Sequence, residues 1–149
     1  MISLTFASLQ LSSNGTWRWI WAANLILLSL DHLSTGLLGV FAPRRAIKIY
    51  RGLFGIQFPD SPEIAAVLKP WGALAVFAAV ATIFPIVDPL RYRGVLLALL
   101  VLLLLRILIR VSARATASAL FGLSPRRNGW HIALIALCAL LIASELLSL

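Results

Sequence analysis

Acidic side chains are scarce in this chain: five Asp and Glu stand against 13 Lys and Arg in 149 residues, and charges of both signs reach only 12%. A water-soluble domain carries about a quarter charged residues, so a soluble globular fold is excluded. Cys138 is the single cysteine, which rules out an internal disulfide; in its apolar segment it reads as a small buried hydrophobe. There are two histidines, His32 and His131. No second carboxylate or thiol stands near either at ligand spacing, so the sequence supports no metal centre. No serine or cysteine has an assignable base for nucleophilic catalysis, and the chain reads as non-enzymatic. Met1 to Gly15 has no basic residue ahead of its apolar positions and does not read as a signal peptide.

What is abundant is hydrocarbon. The chain is 61% hydrophobic with a mean hydropathy of +0.98. Val95 to Leu105 is uninterrupted apolar sequence, followed at once by Arg106 and Arg110. A run of this kind, continued by residues that remain helical, is a helix crossing a bilayer. The expected architecture is an all-α integral membrane protein, one domain over 1–149, with four transmembrane helices in a bundle and a short amphipathic interfacial helix. Span one covers 17–42, with Trp17, Trp19 and Trp21 at its start as an interfacial aromatic cluster and Pro43 as its stop. Span two covers 62–87, opened by Ser61-Pro62-Glu63 as cap, first-turn proline and early acid, with a kink expected at Pro70. Span three covers 89–122, from Asp88-Pro89 to Gly122. Span four covers 130–147, after an Asn128-Gly129 turn.

The distribution of basic residues orients these spans. Arg44, Arg45, Lys48 and Arg51 lie between spans one and two, and Arg114, Arg126 and Arg127 around the connection of spans three and four. The other side has Arg18, Arg91 and Arg93. The positive-inside rule then puts both richer loops in the cytoplasm and both termini outside, in the cytoplasmic membrane of a prokaryote. Basic residues at the ends of apolar segments, including Arg110, point to anionic lipid headgroups as partners and not to nucleic acid. Within 43–58, Arg44, Lys48 and Arg51 share one helical face while Ile47, Tyr50 and Phe54 share another, the pattern of a helix lying in the headgroup region.

Charges inside the spans need partners. At about 1.5 Å per residue, Asp31 lies about 21 Å along span one from Trp17, and Arg106 about 20 Å along span three from Arg93. Equal depth and opposite charge predict an Asp31–Arg106 pair, a clamp on helix register or part of a relay. Arg106, Arg110 and Arg114 are four residues apart and form one stripe, with Arg110 able to snorkel to the cytoplasmic surface. Glu145 is expected beside Arg91 and Arg93. His32, deep in span one, is a possible ligand for haem or for a chlorophyll magnesium, or a hydrogen-bonding residue between helices. No cofactor is otherwise expected. Ser34, Gly36 and Gly39 in span one, and Ala73, Ala75, Ala78, Ala79 and Ala81 in span two, mark packing seams.

The segment Gly36-Leu37-Leu38-Gly39-Val40-Phe41-Ala42-Pro43, an arginine within span three and Glu145 closing span four together resemble the DoxX-like small four-helix membrane proteins. That resemblance implies a four-helix bundle working beside other subunits, some members being small subunits of quinone-linked oxidoreductases. Three functions stay open on the sequence. One is a non-catalytic accessory or scaffolding subunit of a larger membrane complex, in respiratory or photosynthetic electron transfer. Another is a small oligomeric transporter or channel with a polar path at Asp31, His32 and Arg106. The third is a haem- or chlorophyll-binding membrane protein using His32.

Overall fold

The computed structural model describes residues 15–57 and 59–149, leaving residues 1–14, Phe58 and the side chain of Phe54 outside the described set. The reading of the first residues as lacking a signal peptide, and the last residue of the 43–58 segment, therefore fall outside it. Among the described residues there are six helices and no strand: α1 (Gly15–Phe41), α2 (Pro43–Phe54), α3 (Pro62–Val87), α4 (Arg93–Ser112), α5 (Arg114–Phe121) and α6 (Pro125–Ser148). Helices α1, α3, α4 and α6 are long and apolar enough to span a bilayer. The protein is an all-α membrane bundle.

The first half follows its sequence signals closely. Ser61 caps α3, its hydroxyl accepting from the Ile64 N–H at 3.4 Å, and the helix continues through both Pro70 and Pro85. Pro43 ends α1 and opens α2 at once. On α2, Ala46, Ile47 and Tyr50 are buried against Leu68 of α3, while Arg44, Lys48 and Arg51 are exposed. Burial pushes the Tyr50 hydroxyl pKa upward, the nearby Asp31 charge adds to this, and the group stays a donor to the Thr35 carbonyl at 3.3 Å.

Two boundaries in the second half differ from expectation. The third span is interrupted: residues 88–92 form a turn, α4 ends at Ser112, and α5 restarts after Ala113. Asp88 closes that turn through its carboxylate and the Arg91 N–H at 3.0 Å, so it caps the approach to α4 and not the helix itself. The break at Ala113 falls where leucines give way to Ala, Ser and Thr. There Ser112 donates to the Ile109 carbonyl at 3.4 Å and competes with the helical ladder. The fourth span starts earlier, at Pro125. Ser124 accepts from the Arg127 N–H at 3.2 Å, and this cap carries Asn128 and Gly129 into the helix in place of a turn. Trp21 also departs from the interfacial cluster: it is 1% exposed and packs in the core, while Trp19 stays outside.

Helices α1 and α3 meet backbone to backbone. A Cβ on Gly72 would stand 2.6 Å from the Gly36 carbonyl oxygen and 2.9 Å from the Val40 nitrogen, and one on Gly36 would stand 2.8 Å from the Gly72 oxygen. Ser29 adds a bond across the same seam, donating to the Ala79 carbonyl at 2.9 Å. Farther along α1, Trp21, Leu25 and Leu28 join Leu96, Leu99 and Leu103 of α4 and Ala139 and Ile142 of α6 in one apolar core. At the end of the bundle that holds α2, the Gln57 N–H donates to the Phe121 carbonyl at 2.8 Å, tying the α2–α3 connection to the α5–α6 connection.

Candidate functional site

The ionisable residues inside the bundle form a polar belt across α1, α4 and α6. Its centre is His32, 7% exposed. Nδ1 donates to the Leu28 carbonyl, one turn back on α1, at 2.8 Å. That bond fixes the tautomer and leaves Nε2 as an acceptor, which the Arg106 Nη1 reaches from α4 at 3.0 Å. The acceptor that the arginine meets is therefore a neutral imidazole.

This corrects the expected Asp31–Arg106 pair. The depths match, as the residue counts predicted, but the residue of α1 that faces α4 is His32. Asp31 is one position away, about 100° around the helix. Its carboxylate stands 3.8 Å from the far side of the imidazole, and its side chain is 54% exposed on the outside of the bundle. Its own carbonyl accepts hydroxyls from Ser34 at 3.1 Å and Thr35 at 2.7 Å. The three residues form a row running inward from the surface: Asp31, His32, Arg106. The geometry also bears on a pigment or haem at His32. Both ring nitrogens are already engaged, so axial ligation requires Arg106 to leave.

Arg110, expected to snorkel to the surface, is instead half-buried and clamped to α6. Its Nη1 donates to the Asn128 Oδ1 at 3.1 Å, and the Asn128 Nδ2 returns a bond to the Arg110 carbonyl at 3.2 Å. Asn128, 3% exposed, is a residue that turn signals hid. Its Asn-Gly dipeptide suggested a loop, whereas its use is to satisfy an arginine. Asn128→Ala should remove both bonds and strand Arg110, costing about 2 kcal/mol. We expect a lower unfolding midpoint in detergent, with Asn128→Gln recovering only part; an unchanged midpoint for Asn128→Ala would show the clamp to be dispensable.

The stripe does not continue as a unit. Arg106 and Arg110 face inward partners, whereas Arg114 lies exposed at the start of α5. His131 and Cys138 are part-buried on α6. Glu145, expected beside Arg91 and Arg93, faces Trp17 and Arg18 of α1 instead. Arg91 is turned onto the Tyr92 ring, 5.6 Å from its centroid. Among the interfacial cations, Arg44 lies 4.0 Å from Asp60, both side chains exposed. Arg45, Lys48, Arg51 and Arg126 are exposed, and Arg127 packs over Gly55.

Among the described residues no three His, Cys, Asp or Glu side chains converge as metal ligands. Two buried donors, the Trp21 indole N–H and the Asn24 amide, have no hydrogen-bond partner among the described residues. In comparisons with protein-family models, with curated proteins and with solved structures, the chain finds no match.

Proposed function

We propose that this chain is a non-catalytic accessory or scaffolding subunit of a larger membrane complex, an assignment of the kind its DoxX-like layout implies. The observation that carries the reading is Asp31. Its carboxylate is more than half exposed on the outer face of α1, 16 residues into a 27-residue spanning helix. Hydrocarbon is a costly neighbour for an ionised carboxylate, at about 3 kcal/mol on insertion scales. A transmembrane helix of another subunit, presenting a cation or a hydrogen-bond donor at that level, would remove the cost. A second copy of this chain packed on the same face would set two carboxylates together, so a different protein is the better occupant. The exposed residues beside Asp31, among them Leu27, Leu30 and Ser34, supply the apolar and small surface such a helix needs. The basic connections would face the cytoplasm and the ends of α1 and α6 away from Pro43 and Pro125 the outside, following the excess of Arg and Lys around α2 and α5.

A photo-crosslinking residue placed at Leu27 or Leu30, in native membranes, tests the reading. The expected result is one protein adduct common to both positions, absent from a probe at Leu134 of α6, and lost in Asp31→Leu. Because the Asp31 carboxylate bonds no other spanning helix among the described residues, Asp31→Leu should leave the detergent stability of the isolated chain close to wild type. Adducts with lipid alone, or with a second copy, would sink the proposal. The row Asp31–His32–Arg106 favours a second reading, a proton-conducting path in an oligomeric transporter. Adducts with a second copy, together with proton flux in liposomes that Asp31→Asn abolishes, would establish it.

A further inference from the structure

At the junction of α1, α2 and α3 the bundle has an open cavity of about 480 Å³ whose polar walls are all cationic. Arg44 and Arg45, in the first turn of α2, form one side, and Lys69 of α3 forms the other. The floor is Ala42, Ala65 and Ala66, with no bulky side chain to fill it. We propose that this cavity is a binding site for one anionic phospholipid, the phosphodiester on the Arg44–Arg45 pair and the glycerol ester oxygens on Lys69.

Charge decides the class of ligand. Three cations face one space; among the described residues Asp60 lies 4.0 Å from Arg44 with both side chains well exposed, and Glu63 follows the lining Pro62 in the first turn of α3, so the cations outnumber the nearby carboxylates. Arg45 and Lys69 have no carboxylate within 4.0 Å among the described residues. An arginine pair matches a phosphodiester better than a lysine does, because each guanidinium offers a planar fork of donors. The cavity also lies at the start of both α2 and α3, whose positive dipole ends face it and offset the negative end of α1, which closes at Phe41 beside Ala42.

Depth decides between a lipid and a free anion. Lys69 is seven residues into α3, about 10 Å below the helix start along its axis. A soluble phosphate has no use for a cation there, whereas a lipid extends from the headgroup plane down to its glycerol backbone over a comparable distance. Lysine suits that lower position because its flexible stem lets the ammonium rise toward ester oxygens. The small alanine floor leaves room for the first methylenes of an acyl chain beside α3. This site is independent of Asp31 and the polar belt, so it stands or falls apart from the subunit reading.

Native mass spectrometry of the full chain, released from nanodiscs of phosphatidylcholine with or without phosphatidylglycerol, tests the site. We expect one phosphatidylglycerol retained in preference to phosphatidylcholine. Arg45→Gln and Lys69→Gln should each weaken retention about fivefold, the effect of one cation near an anionic headgroup. Arg91→Gln, on the far side of the bundle and equal in charge lost, should leave it unchanged. An equal loss in Arg91→Gln would mean diffuse attraction and no site. Displacement of the lipid by millimolar inorganic phosphate would show a soluble-anion site and overturn the lipid assignment. The unfolding midpoint of each variant in the same detergent separates loss of the site from loss of fold.

Discussion

Gly72→Ala should destabilise the isolated protein more than any other change that adds a single methyl group. The added Cβ would stand 2.6 Å from the Gly36 oxygen, 2.9 Å from the Val40 nitrogen and 3.1 Å from the Gly39 carbonyl carbon. All three are backbone atoms of α1, so no side chain can rotate away and the two helices must separate. Overpacking a tight core costs about 1–3 kcal/mol. Separation here also weakens the Ser29–Ala79 bond and the alanine contacts along the seam, so we expect about 3 kcal/mol. Gly72→Leu should prevent assembly of the α1–α3 pair altogether. Gly94 and Gly129 provide the controls, since a Cβ at either meets nothing within 4 Å. Alanine at these two helical positions should be neutral or stabilising by up to about 1 kcal/mol. Equal midpoints for Gly72→Ala and Gly94→Ala in detergent would refute the crossing as described.

The second large effect is His32→Leu. Losing an interhelical hydrogen bond alone is worth about 0.6 kcal/mol in membrane proteins, which by itself would be a minor change. Most of the loss comes from the arginine left behind, since an unpaired arginine at mid-span costs about 2.5–3.5 kcal/mol. Arg106 lies six residues from the end of α4, yet helical side chains lean toward the N-terminus of their helix, away from that nearer end. Snorkelling therefore relieves it incompletely, and a net loss of about 2 kcal/mol follows. His32→Gln, which keeps an acceptor, should lose less. His32→Leu combined with Arg106→Leu should regain most of the stability, because an apolar pair of matching size removes the stranded charge. A double-mutant cycle read by denaturant unfolding in micelles checks this. Additive single effects would mean that the two residues do not act as a pair.

The sequence was most legible where one signal settles one question. Hydropathy located the four spans, and Ser61-Pro62 placed the start of α3 to the residue. The small residues marked seams on spans one and two but not that these two helices pair; Gly72, where they come closest, stood out by nothing but its size, and only Ala75 and Ala79 of the alanines are buried there. Counting residues gave the depth of Arg106, but depth has no azimuth. The missing signal was present in α1, whose buried stripe Trp21, Leu25, Leu28, His32, Gly36 and Gly39 repeats every three or four residues. Extending the Gly39–Gly36 seam back by one turn leads to His32 and leaves Asp31 outside. Other features depend on distant pairing and were beyond reach. Asn128 could not be matched to Arg110, nor Lys69 to Arg44 and Arg45, until the helices were placed.

The bundle consists of two helical hairpins, α1 with α3 and α4 with α6, and this division has a consequence for how the chain is made. The glycine crossing uses only residues 15–87, so the first hairpin can close while the ribosome is still synthesising α4. During that interval His32 has its bond to Leu28 but no arginine, and its one unpaired ring nitrogen costs far less in hydrocarbon than an unpaired charge would. Arg106 enters the membrane later and finds its acceptor already aimed. Histidine at position 32 thus lets the first hairpin wait, where a lysine or a second aspartate would be an uncompensated charge until the second arrived. The acceptor is then in place before the arginine that needs it.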